Sequence, residues 1–322
     1  MDAVALAYLN YQRHAHDAQS EARQHYVAAL RLTHKAIQDP ELVKKDSTLL
    51  AILLLDLYEK ITSNEPLYEG AWAAHLQGAL TLVRLRGEKQ FDDPTAIRML
   101  NRLITNEIIS CVASNRPVSQ EIIELRAIIA CHAPADPKSR ESDLMIDLAR
   151  LRHELDKGVV PEEEAVRAIK DLDDRFLALS MDVLPTWQFK TIRVKDKSSH
   201  HWDTYHHLHP YEQIAQMWNV LRITRLLLNE AILSHCSRID EVRISTVTAR
   251  WRVGATETIE SMATDICATV PQYIGDLSSG HFHRSGSPPA PNPRPSMAKQ
   301  TTSPNPTQPT ICRATGSYSH CT

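Results

Sequence analysis

Five histidines crowd into ten positions of the stretch HHWDTYHHLHP: His200, His201, His206, His207 and His209. Three imidazoles and the carboxylate of Asp203 would supply the nitrogen and oxygen donors that zinc takes in a tetrahedron. The local pattern argues the other way. Neighbouring histidines in an irregular segment point in different directions, no cysteine lies near, and no recognisable spacing supplies a carboxylate to orient the rings. Trp202, Tyr205 and Tyr211 read instead as hydrophobic anchors pinning a connecting loop to its surroundings. The expectation is a packed or solvated loop, with no catalytic residue, no metal ligand and no cofactor.

Other candidate motifs are incomplete. HELDK (His153 to Lys157) begins like a zinc-protease helix but lacks the second histidine one turn on. His16-Asp17 is the dipeptide of helical metal-dependent phosphohydrolases, yet only residues 1–15 precede it to hold the upstream histidine those enzymes need. No P-loop, G-x-G-x-x-G or G-x-S-x-G occurs, so phosphate-cradling and serine-hydrolase readings lack a motif. DLDDRF puts Asp171, Asp173 and Asp174 on one helix, and WNVLRITR sets Arg222 and Arg225 one turn apart. An ion pair clamping two helices is the commoner use of such groups, so one of these arginines is expected to meet one of the aspartates. Asp56 interrupts the apolar run LLAILLLDL. It is expected at the more exposed edge of its helix or against a donor such as His75 or Arg86, because an unpartnered buried charge is costly.

The elements that carry these residues are helices. Segment 21–38 places Ala22, Tyr26, Ala29, Leu30, Thr33 and Ile37 on one face. Asp46 or Ser47 caps a helix to about 62, apolar nearly all round its first half and therefore buried. Trp72, Leu76, Ala79, Leu80 and Val83 form the next stripe, which Gly87 stops. Asp93-Pro94 opens a helix to about 115. Further helices are predicted at 119–132, 139–157, 161–182, 210–235 and 241–270. FKTIRV is the longest strand-like pattern. The fold class is all-α, a large multi-helix domain.

Composition bounds the rest. Hydrophobic residues make up 43% and charged residues 23%, as in an ordinary globular protein, and 9 glycines are too few for a turn-rich β fold. The net charge of −3 gives no whole-chain attraction to nucleic acid or anionic lipid. The longest apolar run, Leu49 to Leu55, is far short of the ~20 residues of a membrane span, and the acidic start of the chain is unlike a signal peptide. The six cysteines include no C-x-x-C, which suits a reducing compartment. From Ser278 the chain holds 8 of its 18 prolines with few large apolar residues, so 1–277 is expected as the helical domain and 278–322 as a disordered tail.

Three stretches carry a resemblance: HYVAALRLTHKAIQDPELVKKDSTLLAILLLDLYE (25–59), WAAHLQGALTLVRLRG (72–87) and LDDRFLALSMDVLPTWQF (172–189), followed by YHHLHPYEQIAQMWNVLRITRLLLNEAI (205–232). Their order resembles the fungal-specific transcription factor domain, the helical region downstream of the zinc binuclear cluster in fungal regulators. The likeness runs over about residues 1–275, and its markers are Tyr58-Glu59, then Trp72, His75, Gly78 and Ala79, then Arg86-Gly87. It implies a nuclear, regulatory, non-enzymatic module with protein partners, whether transcription machinery or a second copy. It brings no family-wide catalytic or ligand residues. In the family the segment before Pro210 corresponds to a connecting region. The 322 residues contain no counterpart of the zinc cluster or its basic linker, so the chain is expected to be truncated relative to the family and not to bind DNA specifically. The alternatives are a helical interaction scaffold and a metal-dependent helical hydrolase using the His200–His209 segment.

Overall fold

The local signals for helix starts and stops act where the sequence puts them. In the computed structural model, which describes residues 1–13, 16–62, 71–132, 136–193, 204–242 and 246–274, Asp93 accepts from Thr95 N at 2.9 Å with Pro94 at the first helical position. Asp136 does the same for Ser139 N at 2.6 Å ahead of Pro137. Such caps satisfy amides that have no partner inside the helix. At the other ends, Gly87 and Gly158 stand at φ 68° and 65°, a backbone conformation that only a residue without a Cβ adopts freely.

The helices are α1 (Asp2–Arg13), α2 (His16–Gln38), α3 (Asp46–Thr62), α4 (Ala71–Arg86), α5 (Pro94–Ala113), α6 (Gln120–His132), α7 (Pro137–Asp156) and α8 (Glu162–Met181). After a hairpin of β1 (Lys190–Arg193) and β2 (Tyr205–Leu208) come α9 (Glu212–Val242), α10 (Thr246–Cys267) and the short α11 (Val270–Ile274). The expected helices are present with ends shifted by a few residues. The largest shift is at the C-terminal end of α9, which continues past 235 because no glycine or proline interrupts 211–242. The described residues belong to one unit, Met1–Gly280. The tail expected to be disordered, with its Ser287-Pro288 and Ser303-Pro304 dipeptides, lies outside the described residues.

One core runs through most of this unit. Leu49 and Ile52 of α3, Ala79 and Leu82 of α4, Leu100 and Leu103 of α5, Ile122 of α6, Leu148 of α7, Phe176 of α8 and Leu221 of α9 all belong to it, each at most 3% exposed. Removing such side chains from water is the main stabilising term of a helical fold. A separate small cluster joins α1 and α2 to α3 through Ala3, Ala7, Ala22 and Tyr58. Tyr26 of α2 stacks on Tyr58 at 4.3 Å between ring centroids, and its hydroxyl donates to Glu59 at 2.5 Å. Burial, reinforced by that carboxylate, holds the Tyr26 hydroxyl protonated well above the usual range.

The expected ion pair forms between α8 and α9. Arg225 Nε and Nη2 donate to Asp173 Oδ1 and Oδ2 at 2.8 and 3.1 Å, a two-pronged contact between groups that are both buried. Asp171 and Asp174 stay exposed.

One expectation is corrected. The strand-like FKTIRV finds a partner in the histidine segment: Lys190–Arg193 pairs antiparallel with Tyr205–Leu208, in the register Thr191↔His207 and Ile192↔His206. The expected loop around the histidines is therefore in part a strand, a small addition to a helical protein. Asp56 is buried and meets donors, as expected, though not the two named. Lys60 Nζ and Asn106 Nδ2 both donate to its Oδ2, at 2.8 and 3.0 Å, while Arg86 is paired with Asp46.

Candidate functional site

His207 of β2 faces α9 and the end of α10, where it meets Arg222 and Asp265. His207 N donates to Ala268 O at 2.8 Å, fixing the strand to the turn after α10. The His207 ring is 3% exposed, beside Phe189 at 4.2 Å. Its Nδ1 lies 3.0 Å from Arg222 Nη2. A guanidinium only donates, so Nδ1 accepts and the ring proton sits on Nε2, facing Asp265 at 3.8 Å. His209, fully buried, lies 3.1 Å from Gln272 Oε1 through Nδ1, while its backbone N donates to the same oxygen at 2.9 Å. Gln272 Nε2 donates back to His209 O at 3.2 Å, so one side chain of α11 closes both ends of the contact.

Arg222 is the centre of this cluster. It is 2% exposed, lies over the Phe189 and Trp218 rings at 4.9 and 5.6 Å, donates to Asn219 Oδ1 at 3.1 Å, and has Asp265 at 3.9 Å. Contact with aromatic faces offsets part of the cost of burying the cation. Trp218 Nε1 in turn donates to Trp187 O at 2.8 Å. Arg222 thus serves the hairpin and Arg225 the α8–α9 clamp, although they stand one turn apart.

Burial pushes both imidazoles down, His207 to about 3 and His209 to about 4, and the Arg222 charge adds to the effect on each. Both rings are therefore neutral near pH 7. Protonating them opposes the fold, so their contribution is present above the ordinary histidine value of 6.5 and is lost as pH falls from there towards 4. His209→Gln is expected to lose less stability than the parent chain between pH 7 and pH 5, by about 2 kcal/mol. Urea denaturation at the two pH values measures it, and equal losses in both proteins would refute the assignment.

Nδ1 of each ring is thus engaged, whereas His209 Nε2 is buried without a protein partner. Among the described residues, no group of three or more His, Cys, Asp and Glu side chains is arranged to hold a metal ion. His200, His201, Trp202 and Asp203 lie outside the described residues. His153 Nδ1 bonds the Asn115 carbonyl at 3.0 Å, which packs the HELDK segment against the end of α5. What the hairpin cluster does chemically is structural: it straps α11 and the hairpin to α9 and α10. The sequence pointed to the histidines and to Arg222, but carried no signal for Asp265 or Gln272 as their partners.

A second polar site lies between α3, α4 and α5. Ile52, Leu53, Asp56, His75, Leu76, Ala79, Leu103 and Asn106 line a small pocket. Asp56 Oδ1 and His75 Nε2 are both buried there with no protein hydrogen-bond partner. Burial lowers the His75 pKa, against the pull of Glu59 and Asp56. Tyr58, Glu59, His75, Gly78 and Ala79, which carry the family resemblance, all stand on the two helices that flank this site.

The family model of the fungal specific transcription factor domain matches residues 2–148. That stretch is similar to a fungal-specific transcription factor domain. The match takes in α1 to α6 and the first part of α7, and with them the whole α3–α4–α5 pocket. The hairpin, Arg222 and the α8–α9 clamp lie C-terminal to the match. No curated protein and no solved structure matches the chain. No described helix is long and apolar enough to cross a membrane.

Proposed function

We propose that the chain is the helical regulatory region of a fungal zinc-cluster type of transcription regulator, acting in the nucleus through protein partners and carrying out no chemistry of its own. The observation that supports this reading is the match of residues 2–148 to the fungal specific transcription factor domain. The same reading extends over α8 to α11, whose core is continuous with that of the matched helices through Ile169, Phe176, Leu221 and Leu228.

The reading also holds that these 322 residues do not recognise DNA by themselves. Duplex binding depends on free Lys and Arg to neutralise phosphates, and the chain has a net charge of −3. The nearest approach to a basic patch, at the end of α4, is engaged internally: Arg84 pairs with Glu121 at 2.6 Å and Arg86 with Asp46. The cysteines stand 9 or more residues apart, without the close spacing of a zinc cluster.

The experiment fuses the 322-residue chain to a foreign DNA-binding domain in a fungal reporter strain. Reporter output that changes on fusion, with nuclear retention of the chain, is the expected result. An unchanged reporter with a cytoplasmic chain would favour an interaction scaffold outside transcription. In parallel, a sequence-dependent gel shift by the unfused chain at near-physiological salt would overturn the statement on DNA.

A further inference from the structure

Among the buried polar atoms of residues 2–148 that have no protein hydrogen-bond partner, two belong to residues lining one pocket. Asp56 Oδ1 and His75 Nε2 lie on facing helices, α3 and α4, and both residues line the α3–α4–α5 pocket. Buried polar atoms are almost always hydrogen-bonded, and those without a protein partner meet a water or an ion. The remaining walls, apart from Asn106, are the apolar side chains of Ile52, Leu53, Leu76, Ala79 and Leu103.

The dimensions and charges narrow the occupant. The pocket has room for about one water-sized molecule, too little for an organic effector. A divalent cation is poorly matched, because Asp56 already carries the ammonium of Lys60 and the amide of Asn106 on its other oxygen. With the negative charge answered there, the free oxygen asks for a neutral donor. Two or more polar partners are what a buried water needs, and the two orphaned atoms supply them.

We propose that this pocket is the site of one ordered water molecule, donating to Asp56 Oδ1 and bonded to His75 Nε2, which ties α4 to α3 within the matched residues 2–148. The site gives His75 a positioning role: the ring, through water, registers α4 against a carboxylate that Lys60 and Asn106 hold from α3 and α5. It stands on the geometry of the pocket and does not depend on the reading of the chain as a regulator.

A high-resolution crystal structure of the full chain tests it, with a second crystal soaked in cobalt or zinc ions. The expected result is a single density peak about 2.7–3.2 Å from both atoms, with no anomalous signal there after the soak. An empty pocket, a direct bond between Asp56 and His75, or an anomalous scatterer at the peak would each overturn the proposal. His75→Leu, which removes one anchor and adds an apolar side chain, is expected to lose the peak. A peak unmoved in that variant would remove His75 from the site. Should the variant fail to fold, the density of the parent chain decides alone.

Discussion

In urea denaturation at pH 7, Asp173→Ala is expected to lower the stability of the helical unit by about 3–5 kcal/mol, because it leaves the Arg225 guanidinium buried without its partner. Asp173 receives both prongs of that group, and both side chains are about nine-tenths shielded from water. The Coulomb gain of such a pair roughly repays its desolvation, so the cost of breaking it comes mainly from the charge left behind. The double variant Asp173→Leu/Arg225→Met should therefore be less harmed than Asp173→Ala alone. A single variant within about 1 kcal/mol of the parent, or a double variant worse than the sum of the two singles, would show that the pair is not the clamp described.

Glu141→Gln is expected to stabilise the protein in alkaline solution and to leave it nearly unchanged in acid. Glu141 stands on α7, 5% exposed, with Oε1 buried and without a protein partner. Burial pushes its carboxyl up to about 8; Lys138 pulls the other way and Asp136 adds to the rise. The sign follows from proton counting. Between the ordinary carboxylate value of 4.5 and 8 the unfolded chain has released this proton while the folded chain keeps it, so stability falls as pH rises through that window. The full loss, reached above pH 8, is of order 4–5 kcal/mol. Glutamine keeps the shape and removes the titration. Denaturation at pH 5 and pH 8.5 should show the variant gaining only at the higher value. A parent protein whose stability did not fall over this range, relative to the variant, would contradict the buried carboxyl.

How much of this was legible beforehand differs by scale. Asp93-Pro94, Gly87 and the apolar first half of the helix after Asp46 announced a helix start, a stop and a buried element, since each acts within a turn or two of chain. The pairing of Arg225 with an aspartate of the 171–174 group was legible as chemistry, but the choice of Asp173 over its neighbours was made by which side of α8 faces α9. In the histidine segment, the pairing with FKTIRV, the burial of His207 and His209, and their partners Arg222 and Gln272 were not legible. For Asp56 the sequence called for an exposed edge or a donor, and the fold supplies Lys60 and Asn106 rather than His75 or Arg86.

Helical class and most helix boundaries are written locally, in periodicity and caps, and the family likeness of residues 2–148 lies in markers ordered along the chain. Which charges find a protein partner depends on how the helices pack. His209 meets Gln272 63 residues on, Asp56 meets Asn106 50 residues on, and Asp173 meets Arg225 52 residues on. Contacts of that reach are set by how helices stack around a shared core, and the cost of an unpaired polar atom exists only after that stacking has removed the water.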